Sequence, residues 1–91
     1  MTIYEIIGTS VLSTKLQYDD GDYRAVPHET ESLLWDSREG KWIRREGSDG
    51  TGTTFLAENE AESTLAFIQK HGLDEGLQDV RIVEITCFAE D

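Results

Sequence analysis

A single cysteine, Cys87, excludes an internal disulfide framework, which requires paired thiols. No apolar run comes near the roughly 20 residues that a membrane-spanning helix needs. The N-terminus lacks the basic-then-apolar pattern of a secretory signal. Together these absences predict a cytoplasmic protein without a membrane partner. Cations are scarce as well: 8 Lys and Arg stand against 19 Asp and Glu, for a net charge of −11. Direct contact with a nucleic-acid backbone is therefore not expected, because phosphate binding needs clustered Lys and Arg. The lone proline, Pro27, ends a strand or marks a sheet edge.

With 91 residues, 37% of them hydrophobic and 30% charged, the chain suits one small folded domain. Its best-specified part is the last third. Asn59 and Glu62 have the spacing of a capping box, and Glu60 and Glu62 place negative charge near a helix N-terminus. Ala61, Leu65 and Ile68 form one stripe, with Thr64 beside it and Phe67 on its flank. Gly72 stands where a left-handed ending is wanted, and Leu73 can fold back onto Ile68. The pattern predicts a helix from Asn59 to His71. From Val80 to Phe88 β-branched and aromatic residues predict a strand, apolar on both faces and so central or partly covered on each side.

Upstream, Thr2 to Ile7 reads as a strand that Gly8-Thr9-Ser10 breaks or bends. Val11 to Tyr18 alternates with period two. Asp20-Gly21 is a type I′ hairpin signal, whose register sets Tyr18 opposite Tyr23, Leu16 opposite Ala25 and Gln17 opposite Arg24. A second hairpin is expected around Ser37-Arg38-Glu39-Gly40. Pairing Ser37 with Lys41 sets Trp35 opposite Ile43 on the core face, together with Leu33. The outer face then carries Leu34, Asp36, Trp42 and Arg44, with Arg45 at the core rim. Thr53 to Leu56 is a candidate short strand leading into the helix.

No constellation with catalytic chemistry stands out, and no cofactor or metal site is expected. Gly47 to Thr54 has glycine spacing like a P-loop, but Thr53 stands where its lysine belongs and a strand follows instead of a helix. Asp19, Asp20 and Asp22 resemble a fragment of a calcium loop without its closing Glu, and a type I′ turn explains them without a metal. His28 and His71 have no companion at ligand spacing, and Cys87 lies in an apolar run where cysteine behaves as a small hydrophobe.

The candidate working surface is the second hairpin. Residues 38 to 46 hold Arg38, Lys41, Arg44 and Arg45 against Glu39 and Glu46, making it the chain's basic island. Leu34, Trp42, Arg44 and Arg45 have the composition of an interface hot spot. A one-residue change of register would instead exchange Trp35 with Trp42 and make Trp42 core. The fold expected is α+β: an antiparallel sheet of five to six short strands in two hairpins, one helix packed on one face, and a C-terminal strand. The function expected is a non-catalytic protein-binding accessory or inhibitory module. Small size, acidity and the lack of a catalytic signature resemble accessory proteins of phages and mobile elements. Two alternatives are an acidic nucleic-acid mimic that blocks a DNA-binding protein, and a small enzyme or ligand-binding domain with a cleft between helix and sheet. A homodimer is compatible with each, because open sheet edges invite pairing.

Overall fold

The computed structural model describes residues 1–44 and 52–86. Arg45, the first part of the glycine-rich loop, and Cys87 and Phe88 lie outside the described residues. The order of elements is β1 (Thr2–Asp19), β2 (Asp22–Asp36), β3 (Lys41–Arg44), β4 (Thr54–Phe55), α1 (Glu58–Lys70) and β5 (Leu77–Thr86). The class is α+β, with five antiparallel strands and one helix among the described residues.

Two expectations about the sheet need correction. Its leading strands are not short: β1 has 18 residues and β2 has 15. Nor is the sheet flat with a helix laid across it, since it curls into a half-barrel. Gly8-Thr9-Ser10 marks an irregularity in β1 and does not end it: β5 pairs from Thr2↔Thr86 to Ser10↔Leu77, with a register shift between Ile7 and Thr9. Gly8 serves a packing purpose there. A Cβ on it would stand 3.1 Å from a Leu77 methyl and 3.2 Å from a Val80 methyl, so a larger residue would require both side chains to give way by a few tenths of an ångström. The central strand is β1, which pairs β5 on one side and β2 and β4 on the other. The C-terminal strand, expected at Val80 to Phe88, begins three residues earlier and pairs β1 alone among the described strands.

The first hairpin forms in the register that Asp20-Gly21 dictates: Tyr18↔Tyr23, Leu16↔Ala25 and Gln17↔Arg24. Asp20 and Gly21 both have positive φ, 50° and 82°, as a type I′ turn requires. The two tyrosines meet edge to face at 5.1 Å. Strand β2 runs on through Pro27, whose outer edge has no neighbouring strand among the described residues, so the missing N–H costs no ladder bond there.

The core gathers where β1, β2, β4 and α1 converge: Ile6, Trp35, Phe55, Ala61 and Ile68 are buried together. Tyr4, Trp42, Leu65, Val80 and Ile82 pack around them. The helix stripe is thus the one that its periodicity indicates, but its start is not. Ala57 is the N-cap, extended at φ −128° and ψ 137°, with no side-chain capping bond. Asn59 lies inside the first turn and is exposed. The reason is positional: β4 fixes buried Phe55 against Tyr4, and the chain enters the helix within three residues of it. The helix end matches its sequence. Gly72 has φ 66°, its N–H donates to the Gln69 carbonyl, and the Leu73 N–H donates to the Ile68 carbonyl at 2.9 Å. These are the two bonds of a Schellman motif. No described helix is long and apolar enough to cross a membrane.

Candidate docking surface

The second hairpin adopts a register one residue away from the expected one. Asp36, not Ser37, pairs Lys41, so Trp35 faces Trp42, Leu34 faces Ile43 and Leu33 faces Arg44. The cause is visible at the turn. Asp36 accepts the Gly40 N–H on its carbonyl at 2.8 Å and the Arg38 N–H on its carboxylate at 3.0 Å. Asp36 therefore opens the turn and takes the position expected of Ser37. Since strand side chains alternate, that single step exchanges the two faces of β3, bringing Trp42 to the core side and Ile43 to the other, while Trp35 and Leu33 of β2 keep the core side.

The proposed hot-spot residues consequently do not share an outer face. Trp42 lies on the core side, edge to face with Trp35 at 5.4 Å. Its indole N–H donates to the Leu73 carbonyl at 2.9 Å, which ties β3 to the end of α1. Leu34 is on the opposite face and is buried. Gly52 covers it so closely that a Cβ there would stand 2.7 Å from the Leu34 Cβ. Arg44 is exposed beside Trp42, and its guanidinium pairs with Glu31 at 3.2 Å. In water such a pair contributes little. Arg45 is outside the described residues.

A different surface emerges from the first hairpin. Strand β5 accompanies β1 only as far as Ser10, and β3 joins β2 only from Leu33. Between those limits the two strands pair, among the described residues, with each other alone, forming a ribbon whose edges no described strand covers. Two shifts of register mark its root: Leu12 is an extra residue on β1 and His28 an extra residue on β2. Bulges bend and twist a ribbon locally, and paired ones let it leave the body while keeping its register. From Leu12 to Thr30 every residue except Ser13 and Val26 is exposed.

Beyond the bulges the faces separate by chemistry. One holds Thr14, Leu16, Tyr18, Tyr23, Ala25 and Pro27; the other holds Lys15, Gln17, Asp19, Asp22, Arg24 and Val26. The first face carries no charge, yet Leu16 is 72%, Tyr18 62% and Tyr23 68% exposed. On the second, Arg24 reaches Asp19 at 3.5 Å. A contiguous exposed apolar stripe of this kind marks an interaction surface more often than scattered apolar residues do. Alternation over Val11 to Tyr18 carries the signal in the sequence. Leaving Gly8-Thr9-Ser10 open as a break or a bend hides how far the pair extends beyond its sheet neighbours.

A concavity lies between the helix and the β2–β3 turn. It is an open groove of about 600 Å³ with Trp35, Phe67 and Leu73 as walls and the hydroxyls of Ser37, Ser63 and Thr64 at its margin. The Ser37 hydroxyl already accepts the Trp35 indole N–H at 2.9 Å. Elsewhere, burial in the first place, then the Glu84 and Glu58 carboxylates, push the Tyr4 phenol above its ordinary value. The Glu39 carboxylate, 2.9 Å away, raises the Lys41 ammonium. Neither group lines the groove. Compared with protein-family models, curated proteins and solved structures, the chain matches none.

Proposed function

We propose that this chain is a non-catalytic protein-binding module, accessory or inhibitory in role, whose working surface is the apolar face of the β1–β2 ribbon. The observation that carries the reading is the exposure of Leu16, Tyr18 and Tyr23 on a ribbon that no other described element of the chain covers. Tyrosine supplies large contact area at low conformational cost and is enriched among residues that dominate binding energy. The free edges also suit strand addition, in which backbone hydrogen bonds add to side-chain burial. A net charge of −11 favours basic partners and speeds their encounter. A cytoplasmic location fits the single cysteine.

The test is affinity capture at low and high salt, with wild type beside a Leu16→Ser/Tyr23→Ser variant. Both substitutions are on exposed positions, so the melting temperature should stay close to wild type. The module reading predicts partners held at both salt concentrations by the wild type and lost by the variant. Capture of the same partners by the folded variant would contradict it. Capture confined to low salt and indifferent to the variant would favour an acidic mimic.

One observation supports a second reading. The groove beside Phe67 is apolar with a few hydroxyls, the character of a small-molecule site. Titration with Nile red, read by dye emission, should show saturable binding that Thr64→Trp blocks if the groove takes apolar ligands.

A further inference from the structure

We infer that the occupant of the ribbon's apolar face is the same face of a second copy, so that two chains pair through antiparallel ribbons about a two-fold axis. The inference rests on the reading of the ribbon as a docking surface and names its partner.

Shape and area are the first support. The radius of gyration is 16.0 Å and the extents are 56 × 35 × 25 Å, whereas a compact chain of this length has a radius near 12 Å. The accessible surface is 6705 Å², against about 5,400 Å² for a compact monomer of this mass. The surplus, about 1,300 Å², reflects the elongated shape and is the kind of excess surface that association can cover. A two-stranded ribbon alone is marginally stable in water, and a third or fourth strand with an apolar face to cover corrects that.

Charge decides in favour of this face. Two copies at −11 each repel through most orientations. The face with Thr14, Leu16, Tyr18, Tyr23, Ala25 and Pro27 has no ionisable group at neutral pH, so two copies meet there without opposing like charges. Lys15, Asp19, Asp22 and Arg24 remain on the outer side of each ribbon, in water. Direction follows from the tip. Asp19, Asp20 and Asp22 crowd each turn, and a parallel arrangement would bring both clusters together. Antiparallel ribbons separate them by the length of the ribbon. That arrangement is isologous, the commonest symmetry of homo-oligomers, and lets each Tyr18–Tyr23 pair lie over Leu16 and Ala25 of the other copy.

Light scattering on the full chain, from low to high micromolar, tests the inference. Wild type should show a mass of twice 10.3 kDa, falling toward 10.3 kDa on dilution. Leu16→Ser/Tyr23→Ser, with an unchanged melting temperature at low concentration, should weaken the dimer at least tenfold. Isotope-filtered NMR on a mixed labelled and unlabelled sample should show contacts between tyrosine rings and Leu16 methyls across the two copies. A wild-type mass of one chain throughout the range overturns the inference, as does a dimer that the double variant leaves intact. The outcomes also separate it from the broader reading. A monomer that captures other proteins through the ribbon contradicts the two-fold pairing and keeps the module. A ribbon-dependent dimer that captures nothing does the reverse.

Discussion

Trp42 illustrates how far one residue's chemistry extends beyond what its neighbours in sequence suggest. Its composition context, with Leu34 and Arg44 nearby, is that of a hot spot, but its indole N–H is spent on the Leu73 carbonyl and its ring on Trp35. Trp42→Phe should therefore cost about 1–3 kcal/mol in urea unfolding, from a lost hydrogen bond and lost aromatic area. The same variant should leave partner capture unchanged. Unaltered stability with abolished capture would return the working surface to the second hairpin. Tyr4 offers a second residue-level check. Its phenol is raised above the ordinary 10.0 by burial and by Glu84 and Glu58, so the folded state favours the neutral form. The unfolded chain then loses its proton first as pH rises. The contribution is complete below the ordinary phenol value and is lost as pH rises above it through the folded value. Urea midpoints measured across the alkaline range should fall less steeply for Tyr4→Phe than for wild type, and phenolate absorbance should show one late-titrating tyrosine.

At the level of elements, the helix start is the informative case. Ala57 occupies the N-cap with extended dihedrals suited to a capping residue but no side-chain acceptor. Ala57→Asp should add about 1 kcal/mol, read as a shift in the urea midpoint without a change in slope. Asn59→Ala should be close to neutral, because Asn59 caps nothing; a loss near 1 kcal/mol would restore the capping-box assignment. The helix end was legible because its signals are local: Gly72 and Leu73 satisfy carbonyls three and five residues back. The first hairpin was legible for the same reason, since Asp20-Gly21 fixes its own register. The second was not, because two turns compatible with Ser37-Arg38-Glu39-Gly40 differ by one residue. What separates them is the Asp36 carboxylate on the Arg38 N–H, a bond that no periodicity announces. Strand length escaped for a related reason. A glycine inside a strand and a glycine ending one look alike until Leu77 and Val80 are seen above Gly8.

For the whole molecule, periodicity and turn signals indicated the α+β class and composition the acidity, while the shape depended on something neither encodes: how many strands flank each stretch of β1. Among the described residues, five strands share one curled sheet at one end, and at the other a two-stranded ribbon has no further strand beside it and keeps its apolar face in water. Leu34, Trp42 and Arg44 thus belong to the body that holds the ribbon, and Leu16, Tyr18 and Tyr23 to the surface it presents. That separation underlies both the proposed module and the two-fold pairing. Small-angle X-ray scattering of the Leu16→Ser/Tyr23→Ser variant at low concentration measures it most directly. A radius of gyration of about 16 Å, with the extended profile of a projecting ribbon, is the predicted result. A radius near 12 Å, the value of a compact chain of this length, would mean that the ribbon lies back against the body and would contradict the account.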